Sequence, residues 1–81
     1  MNQSRRELVY VSQNLRRHRK GQGLSTYMLA ERSGVSRLTI TNIENGRADD
    51  VRLGTVTRLG QALGFAGWML CVPPEPETLA A

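Results

Sequence analysis

The chain of 81 residues contains one cysteine, one histidine and four aromatic residues (Tyr10, Tyr27, Phe65 and Trp68). A lone cysteine, Cys71, cannot close an internal disulfide. His18 is distant from it in sequence and has no Cys or His companions, so the four ligands of a structural zinc site are lacking. The same scarcity argues against an enzyme, because neither a nucleophile–base pair nor a carboxylate pair can be assembled from these residues. No metal and no cofactor are expected. With 40% hydrophobic residues and so few aromatics, an aliphatic helical core is expected rather than a β-sandwich. No apolar run approaches the roughly 20 residues of a membrane span, and no signal-peptide pattern opens the chain, so the expectation is a soluble, cytoplasmic protein without membrane association. The length suits one small domain. Such a chain buries only about 60% of its unfolded surface, and without disulfide or metal it tends to need idealised helix packing or a partner subunit.

The charge is unevenly placed. Residues 1–47 hold nine Lys/Arg against Glu7, Glu31 and Glu44, a net +6, whereas residues 48–81 hold Arg52 and Arg58 against four acidic residues, a net −2. A basic segment of this kind favours a polyanionic partner, most plausibly nucleic acid, through counterion release. A solvated cationic helix face produces the same pattern, so charge alone leaves both readings open.

Local signals predict four helices. Ser4-Arg5-Arg6-Glu7 has capping-box spacing, and Leu8, Val11 and Leu15 then share one face until Gly21 and Gly23. His18 continues that face and reads as a half-buried packing residue rather than a functional one. Ser25 can cap a second helix carrying Met28, Leu29 and Ala30, with Gly34 ending it in the left-handed conformation. Ser36 can cap a third, in which Ile40 and Ile43 face inward and Asn45-Gly46 ends the run. Leu53, Val56, Leu59 and Leu63 trace a fourth amphipathic helix that Gly64 stops; Gly60, on its apolar side, allows the close approach of another helix. Two short helices joined by Gly34-Val35-Ser36 make a helix-turn-helix. On the third helix the outward positions are Arg37, Leu38, Thr41 and Asn42, side chains that read base edges: Arg by two bonds to guanine, Asn to adenine, Leu or the Thr methyl against thymine.

Residues 65–72, Phe-Ala-Gly-Trp-Met-Leu-Cys-Val, read as an apolar strand closed off by Pro73 and Pro74, with Trp68, Leu70 and Val72 on one side and Met69 and Cys71 on the other. With no second strand in the chain, its economical partner is the same strand of another copy, which predicts a homodimer with Phe65, Trp68, Met69, Leu70, Cys71 and Val72 at the interface. The alternative is an extended tail packed on the helices. Cys71 is expected to be a small buried apolar residue, since a reducing cytoplasm disfavours a disulfide across the dimer. Residues 73–81 read as a disordered, acidic, proline-rich tail. The organisation is then 1–64 for DNA binding, 65–72 for dimerisation and 73–81 as tail.

The run from Gly23 to Arg47 resembles the helix-turn-helix of the Cro/C1-type (XRE) family. The resemblance is carried by Gly23-Leu24-Ser25, Leu29-Ala30, Gly34-Val35-Ser36, Ile40 and Ile43-Glu44-Asn45-Gly46, and is completed by Ala62-Leu63-Gly64. It implies an all-α, lambda-repressor-like domain that binds double-stranded DNA as a dimeric repressor, with the helix after Ser36 reading the major groove. Carried over by position, Arg37, Leu38 and Thr41 face bases, with Asn42 at the margin. Ser25, Thr26, Ser36, Asn45, Arg47 and Arg52 fall where the family holds the phosphate backbone. Arg19 and Glu44 sit where the family has a structural ion pair. Two departures stand out: Thr26 replaces a frequent Gln, and Asp49-Asp50 replace frequent Lys or Pro, which weakens backbone contact there. The ending Leu63-Gly64-Phe65 with Gly67-Trp68-Met69-Leu70-Cys71-Val72 is similar to that of Hip-type antitoxins. This implies an alternative reading, an antitoxin that also neutralises a kinase-like toxin encoded next door. A bridging adaptor that uses the fold without specific DNA binding is a third class.

Overall fold

Local stop and start signals set the ends of nearly every element. The computed structural model describes residues 5–74, which form α1 (Arg5–Gly21), α2 (Thr26–Ser33), α3 (Arg37–Glu44), α4 (Leu53–Leu63) and a 3₁₀ helix (Gly67–Cys71). Ser4 with its capping box, and residues 75–81 of the acidic tail, lie outside the described residues. The Ser25 hydroxyl accepts from the Met28 amide at 3.0 Å, and the Ser36 hydroxyl accepts from the Thr39 amide at 3.1 Å. Each serine therefore satisfies one of the amide donors that a helix start leaves open. Gly34 ends α2 at φ 73°, in the left-handed region where glycine carries no Cβ strain, and its amide returns to the Ala30 carbonyl. Gly64 ends α4 in the same way.

The described residues contain no strand. Their core is aliphatic: Val11 and Leu15 of α1, Leu29 of α2, Ile40 of α3, Val56 and Leu59 of α4 and Leu70 of the 3₁₀ helix are all fully buried. Each contributes about 1.5–3 kcal/mol relative to exposure. Two apolar residues of the expected helices are turned outward. Leu53 is 80% exposed because it lies in the first turn of α4, ahead of the stretch covered by the rest of the chain, and Met28 is also exposed.

Residues 65–72 correct the strand expectation. Gly67–Cys71 is a turn of 3₁₀ helix, opened by a bond from the Met69 amide to the Ala66 carbonyl. Its position follows from a close approach of two backbones. A Cβ on Gly60 would lie 2.7 Å from Gly67 Cα, and one on Gly67 would lie 2.8 Å from Thr57 Cα and the Val56 carbonyl oxygen. Both glycines are thus required for the segment to seat on α4. Its other side is clipped to α1 by the buried Asn14, whose Nδ2 donates to the carbonyls of Leu70 at 2.9 Å and Val72 at 2.7 Å. Both carbonyls thus already accept a bond from α1, and the segment is helical rather than extended. Leu70, expected at a dimer interface, belongs to the core of the chain itself, whereas Trp68, Met69 and Val72 are exposed. Cys71 is half-buried, and burial, followed by the nearby Glu7 carboxylate, pushes its thiol pKa up. His18 packs on Phe65, with ring centroids 4.7 Å apart.

Among the described residues, no helix is long and apolar enough to cross a membrane.

Candidate nucleic-acid interface

The short connection Gly34-Val35-Ser36 holds α2 and α3 as a pair. Val35 is buried, and its amide donates to the Ser33 hydroxyl at 3.1 Å, so the turn is anchored as well as tight. α3 buries Ile40 and Ile43 and presents Arg37, Leu38 and Thr39 to solvent, with Thr41 and Asn42 half-buried at the sides of that surface. Leu38 is 70% exposed, an apolar side chain with no core to join, at the position expected to meet a base.

Polar groups at the start of the two helices are partly engaged with one another. Arg37 Nε donates to Thr26 Oγ1 at 3.2 Å, which connects the first residue of α3 to the first residue of α2. The Ser36 hydroxyl both accepts from the Thr39 amide and donates to Thr39 Oγ1 at 2.8 Å. At the other end of α3, the Arg47 amide donates to the Asn42 carbonyl at 2.8 Å, which turns the chain across the helix end. A shallow depression of about 290 Å³ follows, lined by Thr39, Asn42, Arg47, Arg52 and Thr55 among others. Arg52 is the residue before α4, and no side chain caps that helix start. An uncapped N-terminus with its dipole and two nearby guanidinium groups suits a phosphate. Asp50 also lines the depression and opposes an anion there.

Ser25, Asn45, Arg47 and Arg52 are exposed, and Thr26 is half-buried. Ser25, Thr26, Ser36 and Arg37 gather at the N-terminal ends of α2 and α3, while Asn42, Arg47 and Arg52 gather at the depression near the C-terminal end of α3. Arg19 and Glu44 lie beneath this surface. Arg19 Nε donates to Glu44 Oε2 at 2.7 Å and Nη2 to Oε1 at 2.8 Å, while Nη1 reaches the Leu24 carbonyl at 2.7 Å. The two-bonded pair raises the Arg19 pKa further and ties the end of α1 to the end of α3.

Comparison with known proteins agrees with this geometry. A family model described as a helix-turn-helix domain matches residues 11–69. The chain belongs to the helix-turn-helix domain family. No curated protein matches it. Among solved structures it is similar to the hypothetical transcription factor NHTF from Neisseria, with a TM-score of 0.80 and 23% sequence identity over 100% of this chain and 93% of that one. At that identity the likeness is one of fold. In DNA-bound helix-turn-helix domains the second helix of the motif lies in the major groove, and α3 is its counterpart here.

Several residues that shape this helix-turn-helix domain carry no sequence signal of their own. Asn14 sits in the middle of an apolar helix face, and a buried asparagine there signals only that some backbone group needs a donor. Gln22 Nε2 donates to the Leu63 carbonyl at 2.8 Å, and the Ser12 hydroxyl donates to the Glu44 carbonyl at 2.9 Å; both partners are distant in sequence. Thr39 is exposed beside Leu38. Its spacing of three from Ser36 is the capping distance, the one signal that could have drawn it into the expected site.

Proposed function

We propose that the protein is a sequence-specific transcriptional repressor, acting in the cytoplasm, that reads a palindromic operator as a homodimer and represses its own gene. The observation that carries the reading is the exposed surface of α3. Arg37, Leu38 and Thr39 stand clear of a core anchored by Ile40 and Ile43, with Thr41 and Asn42 beside them. Base contacts fall to Arg37, Leu38, Thr41 and Asn42. Ser25, Ser36, Asn45, Arg47 and Arg52 hold the phosphates; Thr26, expected among them, is instead engaged by Arg37 Nε, and the Arg19–Glu44 pair is structural.

In this reading α1–α4 form the DNA-binding part and residues 65–72 the dimerising segment. Dimerisation proceeds through side chains rather than through strand pairing. Trp68, 66% exposed, is the largest apolar side chain turned to solvent, and Met69 and Val72 extend the patch. Phe65 and Cys71, both half-buried, border it. Aromatic and methionine side chains are enriched in interface cores.

Selection from random duplex DNA, followed by affinity measurement across a salt series, tests the reading. The expected result is a two-fold symmetric site with half-site centres about 34 Å apart and a salt-sensitive affinity. Absence of any sequence preference would sink it. The mass in solution tests the dimer separately: wild-type protein at twice the monomer mass and Trp68→Ser shifted towards the monomer.

A further inference from the structure

We infer that Thr26 is a positioning residue for base recognition, holding Arg37 by its Nε so that the two terminal nitrogens make an end-on, two-bond contact with one guanine. The inference rests on the DNA-binding reading above and deepens it.

A free arginine can approach guanine O6 and N7 in two ways, with Nε and one terminal nitrogen or with both terminal nitrogens. Here the first way is occupied. Arg37 Nε already donates to Thr26 Oγ1 at 3.2 Å, while neither terminal nitrogen makes a hydrogen bond within the described residues. Both ends of this bond are held by their backbones. Thr26 opens α2 behind the Ser25 cap, Arg37 opens α3 behind the Ser36 cap, and the buried Val35 turn sets the distance between the two helices. Threonine is β-branched and restricted at χ1, so its oxygen has few positions to take. The arginine, although exposed, therefore arrives at the groove with one of its five donors engaged and its direction chosen. Less rotamer freedom remains to be lost on docking.

This assigns Thr26 a role different from a phosphate contact. A phosphate contact contributes to every duplex alike, whereas orientation of Arg37 contributes only where guanine offers O6 and N7 together. Adenine presents an amino donor in place of O6 and leaves only N7 to accept, so the two-bond contact is lost.

The test uses the full chain and the duplex selected by the wild-type protein. Arg37→Ala first identifies the base pair concerned, as the one where guanine-over-adenine preference falls by about five- to 150-fold. Thr26→Ala should then lower that preference by about three- to tenfold, the range for one hydrogen bond, while affinity for an unrelated duplex stays within about twofold. Thr26→Ser, which keeps the oxygen, should restore the preference. In an Arg37→Ala background Thr26→Ala should have no further effect on it. Thermal melts of both Thr26 variants check that folding is intact.

The inference is overturned if Thr26→Ala leaves the preference intact, if it weakens all duplexes equally, or if Arg37→Ala exposes no guanine-dependent position. Each of these leaves sequence-specific binding standing. A wild-type protein without any sequence preference removes the DNA reading itself and this inference with it.

Discussion

The reading half of the molecule, α2 with α3, and the closing half, α4 with the 3₁₀ helix, are stabilised in opposite ways. In the reading half the bonds that set the helix ends are local: Ser25 to the Met28 amide, Ser36 to Thr39, the Gly34 amide to Ala30, all within four residues. In the closing half they are long-range. Backbone meets backbone at Gly60 and Gly67, and Asn14 reaches carbonyls 56 and 58 residues away. The difference separates what can vary from what cannot. Exposed residues on α3 can change without disturbing their own helix, because the caps and buried isoleucines hold it. At the α4 joint even one methyl group has no room.

The largest effect should come from the link that joins the reading half to α1. The side chains of Arg19 and Glu44 are only 11% and 5% exposed, so Arg19→Met strands a carboxylate away from water. A loss of about 3–5 kcal/mol is expected in chemical denaturation. A loss below about 1 kcal/mol would mean that the two halves do not depend on this pair. Next comes the joint itself. Gly60→Ala drives a Cβ into the Gly67 backbone and should cost about 1–3 kcal/mol by the same measurement. If Gly60→Ala is neutral, the contrast between tolerant and intolerant halves is broken.

Smaller still is the effect on stability of a change in the reading surface. Arg37→Ala removes an exposed side chain and should shift unfolding by no more than about 0.5 kcal/mol, while relaxing sequence preference in a binding assay. The smallest effect concerns pH. Burial beside Phe65, and secondarily the Arg17 charge, lower the His18 pKa from its ordinary 6.5 in the folded protein. The unfolded chain therefore takes up a proton first as pH falls, so stability is full above 6.5 and declines as pH drops below it towards the folded value. Wild-type melting temperature should fall more between pH 7.5 and 5.5 than that of His18→Gln. Parallel curves for the two proteins would show that this ring contact contributes no pH dependence.

The ends of α2, α3 and α4 were legible in the sequence because the residues that set them, Ser25, Gly34, Ser36 and Gly64, act on amides and carbonyls within one turn. Arg37 and Leu38 were legible for the same reason, since their exposure follows from the helical period once Ile40 and Ile43 face inward. The segment 65–72 was not. Alternation of apolar residues over so few positions does not distinguish a strand from a 3₁₀ turn, and the partners that decide the matter, Asn14 and Gly60, lie elsewhere in the chain. Gly60 did signal a close approach, but not what approaches. Leu53 shows the complementary failure: a regular apolar period marks a face and leaves open how far along the helix that face is covered. The Thr26–Arg37 bond depends on how α2 packs against α3, which no single helix encodes.

The clip made by Asn14 also has a consequence for the order of events during synthesis. Leu70 completes the core, and the carbonyls of Leu70 and Val72 are the acceptors of the Asn14 amide. A growing chain that has not yet released these residues carries α1 with an unsatisfied asparagine on its apolar face and a gap where Leu70 belongs. Of the described helices α1 is made first and is thus among the last to be sealed, and the domain reaches its final packing only once residues 70–72 are free to fold back on it.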